Sequence, residues 1–425
     1  MKVVFPWKKD MEHRVVITGT GCITPLGNDT ASYVDGLRAG RCGIDEIKSF
    51  STEGYKAKLA AEVKDFDFAA RTGRKDGRKL DRFAQFAIVA AAEAWEMSGL
   101  NIETEEAERA GVVIGSGIGG LSTTAEVNEK LLTDGVRKVT PFAIPKMISN
   151  MAAGNVSIAL GTKGVCQCTV TACASGSDAI GLAFMLIKNG KQDIVVAGGT
   201  EAAITPLGIA GFEALKALSF ATDPARASIP FDKERSGFVM GEGAGMLVLE
   251  SLEHALARNA NILAEIAGYG QTSDAYHITA PDTEGEGGKR AMAEAIREGG
   301  IEPAGVGYIN AHGTSTPYND SIETLAVKKV LGAETAAKTP ISSTKSMTGH
   351  LLGGSGAIEA IACVYAVKDG ILPPTIHYRV PDDACDLDYI TEGARRVPIR
   401  YALSNSLGFG GHNASLLFRK WEGVK

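Results

Sequence analysis

Cys173 stands in Thr169–Val170–Thr171–Ala172–Cys173–Ala174–Ser175–Gly176–Ser177, after a β-branched run and directly before the stretch Asp178 to Ile187. Ile180, Leu182, Ala183, Phe184, Leu186 and Ile187 make that stretch apolar nearly all round, so it predicts a buried helix with a fixed amino end. Free backbone N–H groups and the positive end of the helix dipole favour thiolate there. Small neighbours (Ala172, Ala174, Ser175, Gly176) let a substrate carbonyl approach the sulfur. A nucleophile and a buried structural cysteine both fit this context.

Two histidines have matching surroundings. His312 lies in Asn310–Ala311–His312–Gly313–Thr314–Ser315–Thr316, and His350 ends Ser343–Thr344–Lys345–Ser346–Met347–Thr348–Gly349–His350. Each follows a strand-like run and adjoins glycine, where an α/β fold places reacting groups. Alone, either would read as an ordinary structural histidine; as a pair beside a primed thiol they read as machinery. A Cys–His protease needs one imidazole base, whereas decarboxylation of a malonyl thioester develops an enolate whose oxygen two imidazole N–H groups stabilise. Lys345 either polarises the same centre or faces solvent. Glu359 falls on the apolar helix after His350, where a carboxylate is costly unless bonded, so it belongs inside the site or on an exposed edge. The run Asn405–Ser406–Leu407–Gly408–Phe409–Gly410–Gly411–His412–Asn413 sets one aromatic ring among glycines between two strand-like segments. A gate, an oxyanion-hole donor and a plain turn all suit it.

Two further patterns are set aside. Cys166 and Cys168 are spaced C-x-C, without the paired C-x-x-C and downstream histidines of a structural zinc site, and read as strand residues. Gly115–Ser116–Gly117–Ile118–Gly119–Gly120 satisfies G-x-G-x-x-G after a strand, with Asp134 near the distance of a ribose carboxylate. Asp134 precedes Gly135 in a turn, however, and does not end a second apolar strand, so dinucleotide binding is not expected.

The elements that must carry these groups alternate. Val15 to Thr18, Gly111 to Ile114, Ile194 to Ala197, Met246 to Leu249, Tyr308 to Asn310 and Ser415 to Phe418 are strand candidates bounded by glycine, with Ala-rich stretches of helical length between several of them. Leu80 to Ser98 puts Phe83, Phe86, Ala87, Ala90, Ala91 and Ala94 on one stripe, which belongs against a sheet. The expected class is therefore α/β. Ser175–Gly176, Lys188 and Gly190 are matched by Ser355–Gly356, Lys368 and Gly370 at one constant offset, and the strand at 110–115 has a counterpart at 306–311. Duplication follows: two similar halves, 14–260 and 261–420, stacking sheet against sheet with helices between and outside.

Bulk properties bound the answer. A net charge of −6 and a pI near 5.8 argue against a nucleic-acid binder. Seven cysteines, an odd number without a secretory leader, predict reduced thiols and a cytoplasmic setting. Phe5 to Trp7 is too short for a signal-peptide core, and no apolar run approaches the ~18 to 20 residues of a membrane span. Arg71 to Arg82 is strongly basic, either a solvated loop or a docking patch.

On the motifs around Cys173, His312, His350 and Phe409, together with Pro230–Phe231–Asp232–Lys233–Glu234–Arg235, the chain resembles the β-ketoacyl-[acyl-carrier-protein] synthases of fatty acid synthesis, of the synthase II type, from about Arg14 to Lys420. The resemblance implies a duplicated thiolase-like fold layered α-β-α-β-α and a homodimer, with Pro141 to Met151 near the partner's pocket. It implies that Cys173 takes an acyl chain from acyl-carrier protein, that His312 and His350 promote decarboxylation of malonyl-carrier protein, and that the resulting carbanion lengthens the chain by two carbons. Cys173 and Phe409 would supply the oxyanion-hole N–H groups, and Lys345 and Glu359 would support His350. Thr314 and Thr316 match pantetheine contacts, Ile118 an acyl-pocket position, and Gly408 and Gly410 the substrate loop. Arg74, Lys75, Arg78 and Lys79 become the dock for an acidic carrier protein. No metal and no cofactor beyond the carrier's phosphopantetheine is expected. Ala174 and Gly411–His412–Asn413 depart slightly from the family pattern. A thiolase would need a second cysteine in a glycine turn, which neither Cys363 nor Cys385 occupies; a Cys–His–Asn synthase would not have His350; a non-catalytic partner subunit would lack Cys173. A polyketide ketosynthase shares the triad and is the alternative. Chain length, saturation, the particular carrier and any monovalent cation are not legible.

Overall fold

The computed structural model describes residues 12–423; the opening run with Phe5 to Trp7 lies outside the described residues. Ten strands form one sheet: β1 (Val15–Ile23), β2 (Ala110–Gly115), β3 (Cys166–Thr169), β4 (Ile194–Glu201), β5 (Gly243–Ser251), β6 (Ala264–Ser273), β7 (Tyr308–Asn310), β8 (Ile341–Ser342), β9 (Tyr401–Gly408) and β10 (His412–Lys420). Their order is β8-β7-β9-β10-β6-β1-β5-β4-β2-β3. Read inward from either edge, it runs third, second, fourth, fifth, first strand of each half, and the parallel and antiparallel pairings match as well. Duplication is thus written into the topology. The halves are not separate sheets, however. β1 and β6 pair antiparallel from Val15 opposite Ile266 to Ile17 opposite Ala264, which makes the ladder continuous.

The helices that matter here are α1 (Arg82–Ser98), α2 (Ser175–Lys188), α3 (Glu286–Glu298), α4 (Asn319–Leu331) and α5 (Ser355–Asp369). α1 covers β1 and β5, and α3 covers β6 and β10. α2 and α5 touch each other and strands of both halves, so they form a middle layer, and the architecture is α-β-α-β-α. Burial on both faces explains why β1, β4 and β5 are buried along their whole length. The predicted stripe on α1 is buried, Asp81 caps the helix by accepting the Phe83 N–H, and Gly99 closes it in the left-handed conformation.

The strands run longer than glycine punctuation suggests. β1 continues through Gly19 and Gly21, where a side-chain carbon would lie 2.0 Å from the Ala94 carbonyl oxygen and 2.1 Å from that of Ala90. Gly268 and Gly270 of β6 meet the Ala295 and Ala291 carbonyls of α3 in the same way, at 2.1 and 2.0 Å. Those glycines are contact points for a helix backbone, not strand ends. No helix among the described residues is long and apolar enough to cross a membrane.

Candidate active site

β3 ends at Thr169, a 3-10 turn spans Ala172–Ala174, and α2 begins at Ser175. Ala172 is held at φ 50, a left-handed strain seldom kept without a reason. The Ser175 hydroxyl pins the turn, donating to the Ala172 carbonyl at 2.7 Å and accepting the Thr171 N–H at 2.9 Å. Cys173 is buried, and the backbone N–H groups of Phe409 and of Cys173 itself bear on its sulfur. Gly408 makes the Phe409 contact feasible: a side-chain carbon there would lie 2.7 Å from the Thr171 carbonyl oxygen and 3.2 Å from the Cys173 nitrogen.

Burial pushes the Cys173 thiol up to about 12, although the Lys345 charge and the Phe409 N–H pull the other way. The resting group is therefore a thiol, which corrects the thiolate expected from sequence; α2 starts two residues later, and the sulfur is dehydrated. Alkylation of Cys173 by iodoacetamide, followed by peptide mass mapping, is expected to accelerate about tenfold per pH unit from pH 7 to 10 without a plateau. A plateau below pH 9 would show a thiol near its ordinary value.

His312 follows β7. Its N–H and that of Gly313 both donate to Glu323 of α4 at 2.8 Å, and Glu323 also accepts the Asn405 side-chain amide at 3.2 Å. His350 follows the short helix Lys345–Thr348, donates its N–H to the Val239 carbonyl at 2.7 Å, and holds Nδ1 2.8 Å from the Ser355 hydroxyl at the head of α5. With that hydroxyl donating, Nε2 carries the imidazole proton. The two rings meet edge to face, centroids 5.3 Å apart. Burial, then the Lys345 charge, holds both imidazoles well below their usual range, and His350 adds to the effect on His312. At neutral pH both are uncharged N–H donors. His312 Nδ1 and His350 Nε2 have no hydrogen-bond partner among the described residues.

Lys345 is fully buried and pairs with Glu359 at 2.5 Å, so the solvent-facing and exposed-edge alternatives fall away. Burial lifts the Glu359 carboxyl to about 7 against the opposing pull of Lys345.

Cys173, His312, His350, Thr314, Thr316, Gly408 and Phe409 line one cavity of about 350 Å³. The threonine hydroxyls lie 2.9 Å apart. Gly410 is exposed at φ 86 on the outer side of the loop, donating its N–H to the Ile278 carbonyl. Ile118 is an exposed loop residue of the single chain and does not border this cavity. In the basic segment Lys75, Arg78 and Lys79 are exposed; Arg74 is tied to Asp76, and Arg82 to Glu242.

Glu201, which the sequence did not single out, ends β4 fully buried. Its carboxylate accepts the Ser116 hydroxyl at 2.9 Å and the N–H groups of Gly117, Ile118, Gly119 and Gly353 at 2.8, 3.2, 3.2 and 3.1 Å. The G-x-G-x-x-G loop is an anion-binding nest after all, and its anion is the protein's own side chain. The available signal was a lone acid closing an apolar strand. Glu323 plays the same part for the His312 loop, without any local cue.

The family model for the N-terminal domain of beta-ketoacyl synthases matches residues 12–255, and that for the C-terminal domain matches 263–379. The chain belongs to the beta-ketoacyl synthase family. It is 53% identical over 409 residues to the 3-oxoacyl-[acyl-carrier-protein] synthase 2 of Staphylococcus aureus (strain COL), covering 96% of this chain and 99% of that one. Its fold matches the crystal structure of a beta-ketoacyl synthase from Burkholderia phymatum STM815, with TM-score 0.89 and 37% identity over 96% of this chain and all of that one. A type II polyketide ketosynthase solved in complex with its acyl-carrier protein matches at TM-score 0.88 and 35% identity, covering 97% and 100% of the two chains. The ten-stranded, five-layered arrangement is thus the duplicated thiolase-like fold of the synthase family.

Proposed function

We propose that this protein is a β-ketoacyl-acyl-carrier-protein synthase that elongates fatty acids by decarboxylative condensation. One observation carries the reading: a single thiol and two neutral imidazoles from opposite halves of the chain line one cavity, with the Phe409 N–H directed at the sulfur. The Cys173 sulfur attacks the acyl thioester, its proton leaving with the carrier's thiol, and the oxyanion rests on the Cys173 and Phe409 N–H groups. Malonyl-carrier protein then enters along Thr314 and Thr316. His312 and His350 donate to its thioester oxygen as carbon dioxide departs, and the enolate carbon attacks the acyl-Cys carbonyl, expelling the Cys173 thiolate, which takes up a proton from solvent to restore the resting thiol. The reaction needs no cofactor beyond the phosphopantetheine of the carrier. The 3-oxoacyl-[acyl-carrier-protein] synthase 2 relative is 53% identical and the polyketide ketosynthase 35%, which favours this reading over the polyketide alternative.

Residues 14–260 supply the nucleophile and 261–420 the histidines. The exposed Lys75, Arg78 and Lys79, with Arg74 beside them, dock the acidic carrier protein. A homodimer is supported by β3, the outer edge strand of the sheet, and by exposed Ile144, Ile158 and Val170 near it in sequence. Such a partner places Pro141 to Met151 and Ile118 at its acyl pocket. Seven unpaired cysteines agree with a cytoplasmic setting. Mass spectrometry after incubation with acyl-carrier proteins of graded length is expected to show an adduct on Cys173, formed fastest with medium to long straight chains. Faster labelling by polyketide or branched starters would favour the alternative.

A further inference from the structure

Asp178 lies in the first turn of α2, buried, with both carboxylate oxygens engaged. Oδ2 accepts the Thr171 hydroxyl at 2.5 Å and Oδ1 accepts the Tyr269 hydroxyl at 2.6 Å. Thr171 precedes Cys173 by two residues and donates its N–H to Ser175, so its side chain and its backbone are both tied to the start of α2. Tyr269 comes from β6, the first strand of the second half, and its backbone N–H donates to Glu298 at 2.8 Å. Its ring lies on α2 at Gly181, where a side-chain carbon would fall 2.3 Å from a ring carbon. The ring therefore has little freedom to shift, and the phenol reaches Asp178 from a fixed direction.

The second half lacks this device. At the constant offset that relates α2 to α5, the place of Asp178 is taken by Ile358, which is buried in the core. Packing of a middle helix between the half-sheets does not require an acid at that point. The acid accompanies the thiol.

We propose that Asp178 is a positioning residue for Cys173: by bridging the Thr171 and Tyr269 hydroxyls, it locks the nucleophile turn to the second half, which holds the histidines. The proposal rests on the reading of Cys173 as the acyl acceptor. Misplacing a reacting atom by a fraction of an ångström slows attack without removing any group that touches substrate.

The test compares Asp178→Asn, Thr171→Val and Tyr269→Phe by the rate of Cys173 acylation from acyl-carrier protein. A second series places the same changes in a Cys173→Gln background and follows decarboxylation of malonyl-carrier protein. Acylation is expected to slow about tenfold in Asp178→Asn and Thr171→Val and less in Tyr269→Phe, which keeps its ring on Gly181. The Asp178→Asn, Thr171→Val double variant should be no slower than the worse single one, because both remove one link. Decarboxylation should be unchanged, since Glu323 holds the backbone of the His312 loop and Ser355 holds the His350 imidazole. Acylation at the parental rate in both Asp178→Asn and Thr171→Val, or decarboxylation falling by the same factor as acylation, would overturn the proposal. A parental protein that never acylates Cys173 would instead sink the functional reading on which it rests. Should Asp178→Asn fail to fold, Thr171→Val carries the test, because it removes only a hydroxyl.

Discussion

Cys173→Gln is expected to lower condensation by about six orders of magnitude, the scale of removing a nucleophile, while malonyl-carrier decarboxylation continues. The separation follows from where the groups are held. Removing the sulfur abolishes the acyl-enzyme, yet His312 remains anchored through Glu323 and His350 through Ser355, both in the second half. Glutamine is longer than cysteine but uncharged, and the cavity of about 350 Å³ beside Cys173 has room for it. Carbon dioxide release and product mass, measured on the same folded sample, check both arms. Loss of the two activities together in a folded variant would contradict the division of labour.

The second large effect concerns the imidazoles. In the Cys173→Gln background, His312→Ala and His350→Ala are each expected to lower decarboxylation by about 10² to 10³, the scale of losing one oxyanion donor. Acylation of Cys173 in the otherwise intact protein should fall far less. Because burial and Lys345 hold both imidazoles well below their usual range, neither gains a proton between pH 8 and 6. Any limb in decarboxylation across that interval should therefore come from Glu359, whose carboxyl burial lifts to about 7, and should vanish in Glu359→Gln. A limb near pH 6.5 that persists in Glu359→Gln would mean that a charged imidazole takes part, contrary to the geometry.

Much of the site was legible because its groups announce themselves locally: a thiol before an apolar helix, and histidines in glycine turns after strands. Lys345 and Glu359 were readable only as a pair of alternatives, which burial resolves. What stayed hidden depends on contacts between distant segments. Glu201 meets the Ser116–Gly119 loop, Glu323 meets the His312 loop, and Asp178 meets Tyr269; nothing in the residues near each acid names its partner. The protonation of Cys173 is hidden from the sequence for a related reason. The helix start is a local feature, whereas dehydration of the sulfur is a property of the whole fold. In the fold, β6 lies outside the strand candidates because Gly268 and Gly270 break its apolar run. Those breaks are where α3 presses close.

The twin turns before α2 and α5 share a left-handed residue, Ala172 at φ 50 and Leu352 at φ 48, and each is followed by the residue that begins the bend into the helix. In the first copy that residue is Cys173; in the second it is Gly353, whose N–H is spent on Glu201. Grafting a thiol onto the second copy would not yield a two-headed enzyme, because its first carbon would land 2.4 Å from the Gly117 nitrogen and 2.8 Å from Glu201. Tandem copying left room for one reactive sulfur, and the twin of that sulfur's seat became a strut under the loop that carries Ile118.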